Sequence, residues 1–97
     1  AAGSFGYSSP QQRNGEAPDP RDDVYALGVL AYQLLMCDLT VWPSPDMGHD
    51  LRALGLPRGL IGLLVHSVSH NAARRPADAL EWKERLEALV TRSDALP

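Results

Sequence analysis

A single cysteine, Cys37, rules out an internal disulfide and a multi-cysteine metal site, and it fits a reducing, cytoplasmic compartment. Positive charge is not in excess either. Nine basic against twelve acidic residues give a formal charge of -3, which argues against a nucleic-acid partner. Arg74 and Arg75 form a basic corner rather than a binding stripe. The longest near-continuous apolar run, Val24 to Cys37, ends after roughly 14 residues and is interrupted by Gln33, whereas a membrane-spanning helix needs about 20. No membrane partner is expected. The opening Ala1-Ala2-Gly3-Ser4 carries no signal-peptide pattern, and without an initial methionine the chain reads as a processed piece, an engineered fragment or one part of something longer.

What is present suits one folded domain. In a chain of 97 residues, 44% hydrophobic content supports a core and 22% charged content supplies an ordinary surface. Residues 1 to 21 read as loop, with Asn14-Gly15 turn-prone and Pro18 and Pro20 stiffening the approach to a helix. Either Asp19, followed by proline at the first helical position, or Asp22 can cap that helix. DVYALGVLAYQLLMC, Asp23 to Cys37, is rich in good helix formers and longer than a usual strand. One or two buried strands are the rival reading. The stretch has hardly any polar face, which predicts a central helical post with other elements packed around it. Gly28 inside that helix costs about 1 kcal/mol relative to alanine, so a close neighbour is expected there.

WPSPDMG, Trp42 to Gly48, reads as loop, and His49 to Gly55 as at most two helical turns. In Arg58 to Ser69 the residues Leu60, Leu63, Leu64 and Val68 recur at helical spacing. Ala77 to Val90 forms the last helix, with Leu80, Trp82, Leu86 and Leu89 on its apolar side and a surface pair between Glu81 and Arg85. Residues 91 to 97 are expected to fray. The architecture is therefore all-α, with residues 22 to 90 as its core.

Three blocks in order carry a family resemblance. GSFGYSSPQQ, Gly3 to Gln12, resembles the end of a protein-kinase activation segment, which the family commonly writes Gly-Thr-x-x-Tyr-x-Ala-Pro-Glu. DDVYALGVLAYQLL resembles the Asp-Val-Tyr-Ser-Leu-Gly helix at the centre of the kinase C-lobe. NAARRPADALEWKERLEAL resembles the closing Asp-Pro-x-x-Arg-Pro motif and terminal helix. The style is closest to bacterial serine/threonine kinases. The resemblance implies a partial kinase-like C-lobe, running from the activation-segment end to the final helix and built around the central apolar helix.

By position, the resemblance implies roles for several residues. Ser4 stands where the family places the threonine that contacts the catalytic-loop aspartate and lysine. Gly3 and Gly6 would allow tight backbone bends, and Tyr7 would anchor the segment against the helices. Asp23 matches the aspartate that accepts backbone hydrogen bonds from the catalytic loop. Asp22 is the competing cap and is expected to face water. Arg75 matches the arginine that pairs with the glutamate of Ala-Pro-Glu. Here Gln11 replaces that glutamate, so a softer tie is expected, and Gln11→Glu should raise stability. Asn71 and Ala72 also depart from the family's Asp-Pro. Read without the resemblance, these positions are a Gly/Ser loop pinned by an aromatic and a first-turn or helix-cap acid.

Cys37 falls near the position where the family often ends the central helix with glycine, and burial as a small hydrophobe is expected. His66 and His70 lie four apart, but no intervening glutamate or third ligand supports a metal site. Absent too are a Gly-rich phosphate loop, a Val-Ala-x-Lys strand, a His-Arg-Asp loop and an Asp-Phe-Gly site, so the chain is not expected to bind ATP or Mg2+ or to transfer phosphate alone. ATP and Mg2+ are implied only for an active parent kinase. Two functions follow. One is the substrate-side fragment of a serine/threonine kinase, partnered by the missing N-lobe and catalytic loop and by a protein substrate. The other is a non-catalytic, pseudokinase-like interaction module. Uncovered apolar surface would favour a homodimer, and Trp42 is either an anchor for a partner or a cover for the lobe's own core.

Overall fold

A computed structural model describes the chain over residues 6–95, and every described element is helical. Helix α1 spans Pro10–Arg13, α2 Pro20–Met36, α3 Met47–Ala53, α4 Arg58–Ser67 and α5 Ala79–Ala95, with a 3-10 turn at Ala72–Arg74. Helix α1 lies inside the stretch expected to be loop, and the reason is local. Ser9 accepts from the Gln12 N–H, Gln12 Oε1 accepts from the Ser9 N–H, and Pro10 occupies the first helical position. Residues 91–95, expected as a frayed tail, continue α5.

Helix α2 starts at a second reciprocal cap. The Asp19 carboxylate accepts from the Arg21 N–H, and Asp22 reaches back to the Asp19 N–H. Both candidate caps are used together. The helix ends on Cys37, held left-handed at φ 53°. That conformation disfavours side chains, which is the physical reason a glycine suits this place. Cys37 itself is exposed rather than buried.

The expectation of α2 as a fully enclosed post needs correction. Val24, Tyr25, Gly28, Val29, Tyr32 and Gln33 face inward as a helical stripe. On the other side Leu30 is 43% exposed and Leu34 61%. The element gripped from most directions is α4, which packs against α2, α3 and α5. Its residues Ile61 and Leu64, with Val68 just beyond, join Tyr25, Val29, Tyr32, Met47 and Leu51 in the core. The helix α2 is apolar all round because a core face and an uncovered apolar face share one cylinder.

Helices α2 and α4 approach closely at Gly28. A Cβ there would lie 2.7 Å from Ser67 Cβ and 2.8 Å from Val68 Cγ1. This is the close neighbour that a glycine in mid-helix requires. Ser67 is itself fixed, since its hydroxyl donates to the Leu63 carbonyl at 2.6 Å and accepts from Trp82 Nε1 at 2.9 Å. At the start of α5, Glu81 accepts from the Ala77 N–H and pairs with Arg85 at 3.2 Å, and both interactions hold its carboxyl below the ordinary glutamate range. No helix among the described residues is long and apolar enough to cross a membrane.

Candidate functional site

Three fastenings hold the opening segment to the helical body, beside a bond from the Arg13 guanidinium to the Tyr25 hydroxyl at 3.2 Å. Tyr7 comes first. Its hydroxyl donates to Gln33 Oε1 at 2.6 Å, and its ring meets Trp42 edge-on with centroids 5.2 Å apart. Gln33 is fully buried, and its amide nitrogen donates to the Leu39 and Val41 carbonyls at 3.2 and 2.9 Å. One amide thus joins the opening segment, α2 and the chain that leaves α2. A buried amide is stable only when such partners are present. The lone polar residue in the apolar run was the signal for this role, and a reading for periodicity alone passes over it.

Gly6 and Trp42 explain each other. A Cβ on Gly6 would lie 2.4 Å from the Trp42 ring, and the Gly6 backbone is outside the left-handed region. Glycine is needed for the ring's approach, and Gly6 also lies in a turn. Trp42 is partly exposed but packs on Tyr7 and Gly6, covering its own fold rather than standing free.

Ser9 and Asp22 make the second fastening. Both are buried, and the Ser9 hydroxyl donates to Asp22 Oδ1 at 2.6 Å. Asp22 does not face water: it is 6% exposed and takes this bond together with the Asp19 N–H. Adjacent acids on a helix point about 100° apart, so one of the pair turns inward as the other turns out. Asp23 is the outward one. It is exposed and has no hydrogen-bond partner among the described residues, and it borders a shallow groove with Tyr7, Ala26, Leu27 and Leu30.

Arg75 makes the third. Its guanidinium donates to Gln11 Oε1 at 2.6 Å, to the Ser69 carbonyl at 2.9 Å and to the Arg21 carbonyl at 3.3 Å, and it stacks 5.2 Å from the Tyr25 ring centre. Burial lowers the guanidinium below the ordinary arginine range, while Asp22, Tyr25 and Asp19 act the other way. It remains a cation.

Gln11 does more than stand in for a carboxylate. Its amide nitrogen donates to the His70 carbonyl at 2.8 Å while its oxygen serves Arg75. Glutamate would strengthen the second bond and set an oxygen against the His70 carbonyl in place of the first. The expected gain from Gln11→Glu is therefore revised to a change within about 0.5 kcal/mol, since opposing terms of about 1 kcal/mol nearly cancel. Gln11→Met, which removes both bonds, is expected to cost about 2 kcal/mol. Urea unfolding of the three proteins checks the order, and a clear gain from glutamate would show that the amide's bond to His70 counts for little.

The structure thus brings Gly6, Tyr7, Gln11 and Arg75 together around the inner side of α2, with Asp23 at the edge. Ser4 and Gly3 lie outside the described residues. No family profile matches the chain, and no solved structure matches it significantly. Curated proteins do. Serine/threonine-protein kinase pkn3 of Myxococcus xanthus is 33% identical over 98 residues, covering 86% of this chain and 18% of that protein. Serine/threonine-protein kinase PknL of Mycobacterium tuberculosis is 33% identical over 101 residues, 91% of this chain and 25% of that protein. LysM domain receptor-like kinase 10 of rice, Oryza sativa subsp. japonica, is 35% identical over 80 residues, 82% of this chain and 12% of that protein. The chain thus spans a quarter or less of these relatives. It is a small helical domain with distant similarity to serine/threonine kinases, and its fold is consistent with a helical kinase C-lobe.

Proposed function

We propose that the chain is the substrate-side part of a serine/threonine protein kinase and does not transfer phosphate by itself. The observation that carries this reading is a segment fastened against α2 with, beside it, an exposed acid that has no hydrogen-bond partner among the described residues. Tyr7, Ser9 and Gln11 hold Gly6–Gln11 against Gln33, Asp22 and Arg75, while Asp23 stands exposed beside Leu27 and Leu30. An exposed carboxylate at the rim of an apolar face fits acceptance of backbone N–H groups from a loop packed over that face. The chain's own contribution is to hold such a loop and the adjoining segment rigid, so that a bound hydroxyl-bearing protein is kept in register.

Among the described residues no three His, Cys, Asp or Glu side chains gather to hold a metal ion. The residues present do not fit an ATP–Mg2+ site, and no step of phosphoryl transfer is derived from them. Those parts belong to the rest of a kinase domain, for which the open Leu30 and Leu34 face of α2 is the natural seat. A second copy of the chain is the other occupant that this face admits.

The alternative is a non-catalytic kinase-like interaction module. It draws on Gln11 in place of the family's glutamate. The two bonds made by that amide weaken the point, because the tie to Arg75 persists without a carboxylate.

A graft distinguishes the two readings. Residues 6–95, put in place of the matching stretch of an active bacterial serine/threonine kinase, are expected to preserve phosphate incorporation into a protein substrate. Asp23→Ala within the graft is expected to reduce it about 100-fold by loosening the loop it holds. A chimera that unfolds cooperatively yet is inactive would overturn the substrate-side reading in favour of the module.

A further inference from the structure

Helices α3 and α4 and the Pro43–Pro45 loop enclose a groove of about 890 Å³. It lies apart from the exposed face of α2 and meets the fastenings at His70, whose carbonyl holds Gln11. Met47, Ile61 and Val68 form its buried floor, and the half-open Val65 stands in its wall. His49, Arg52, Arg58 and His70 line it as well, and no acidic side chain does. Among the described residues neither Arg52 nor Arg58 pairs with a carboxylate. The nearby Asp50 accepts the Tyr32 hydroxyl at 3.1 Å. In a chain of net charge -3, two free guanidinium groups and two imidazoles surround an apolar floor.

Gly62 is a second, independent observation. It lies within α4, where glycine costs about 1 kcal/mol relative to alanine. Its backbone is not left-handed, and nothing lies within 4 Å of the position its Cβ would occupy. Neither backbone strain nor helix packing calls for glycine here, in contrast to Gly28. The missing side chain leaves open space where Gly62 borders this groove and a smaller one toward Leu89.

The geometry points to a docking groove for a short segment of another protein, one that carries an apolar anchor flanked by aspartate or glutamate. The anchor sits on Met47, Ile61 and Val68 beside Gly62, and the flanking acids meet Arg52 and Arg58. The carboxylates are favoured by charge complementarity with the unpaired guanidinium groups. An open groove of this size suits a peptide segment better than a small molecule, which needs most of its surface enclosed.

The test is selection of a random dodecapeptide phage library on the 97-residue chain, followed by fluorescence anisotropy with the enriched peptides. Enriched sequences are expected to place Asp or Glu on both sides of a large apolar residue. Gly62→Leu, whose Cβ meets nothing within 4 Å, and the double variant Arg52→Gln/Arg58→Gln are each expected to weaken binding about tenfold or more. Their helical circular dichroism and urea midpoints should stay at or above the parent's. Replacing the peptide's acids by amides should weaken binding to the same degree. No enrichment, enrichment without acidic residues, or binding indifferent to both variants overturns the proposal. So does concentration-dependent dimerisation abolished by Gly62→Leu, which would assign the groove to a second copy.

Discussion

Arg75→Met is expected to lower the free energy of unfolding by about 3 kcal/mol, a large fraction of the 5 to 15 kcal/mol typical of a small domain. Methionine is close enough in bulk that a cavity contributes little, so the loss reports the polar contacts. The side chain is 3% exposed and donates to Gln11, Ser69 and Arg21 while stacking on Tyr25. Removing it leaves the Gln11 oxygen and the Ser69 carbonyl unpaired in a partly buried place, at roughly 1 kcal/mol or more each. It also removes a cation that interacts with the buried Asp22, which keeps its bonds from Ser9 and the Asp19 N–H. That retained pairing holds the cost at the lower end of the range for broken buried charge pairs. Arg75→Lys keeps the charge but not the planar fork, and an intermediate loss of about 1 to 2 kcal/mol is expected. Urea unfolding gives all three values. A methionine variant within about 1 kcal/mol of the parent would mean that Gln11 and Asp22 are satisfied without Arg75, and that the opening segment is held mainly by Tyr7.

The same network shows what sequence reading reaches and where it stops. The helix order was legible because Leu60, Leu63, Leu64 and Val68 repeat at helical spacing and prolines punctuate the rest. So was the meeting of Gln11 with Arg75, though only by resemblance, since nothing in a sequence brings residues 64 apart into contact. Ser9 and Gln12 did carry a readable signal. Ser-Pro-Gln-Gln has a capping residue, a proline at the first helical position and a glutamine two residues on, and the fold uses all three.

Asp22 and Asp23 are harder. Both stand in the first turn of α2, and which one turns inward depends on where Ser9 arrives. The apolar circumference of α2 misled for a related reason. Hydrophobicity records that a face avoids water but cannot say whether the covering atoms belong to this stretch of chain. Leu30 and Leu34 are uncovered here, so the enclosing role passes to α4. Gln33 looked like a flaw in the helix and proves to be its link to Tyr7 and to the chain at Leu39 and Val41.

Gly28→Val is the other substitution with a large expected effect, a loss of about 3 kcal/mol, and Gly28→Ala should lose about 1 to 2. On helix propensity alone alanine should gain about 1 kcal/mol, so the expected sign is set by packing. The new Cβ would meet Ser67 Cβ at 2.7 Å and Val68 Cγ1 at 2.8 Å, both well inside van der Waals contact. Ser67 Cβ has no torsion of its own by which to withdraw, so relief requires α2 and α4 to separate. Separation strains the bond from Trp82 Nε1 to the Ser67 hydroxyl and opens the core shared by Val29, Leu64 and Val68. Valine adds two methyl groups to the same crossing and forfeits most of the propensity gain through its β-branch. Gly62→Ala supplies the control, because there the Cβ meets nothing and the propensity term acts alone. That variant should gain about 0.5 to 1 kcal/mol. Thermal or urea unfolding of the glycine variants decides between two accounts of α2. A stabilised Gly28→Ala would mean that the helices can part without cost and that α4 does not grip α2 at this crossing. Opposite signs at Gly28 and Gly62 would identify one glycine as a packing requirement and the other as an opening left for something else.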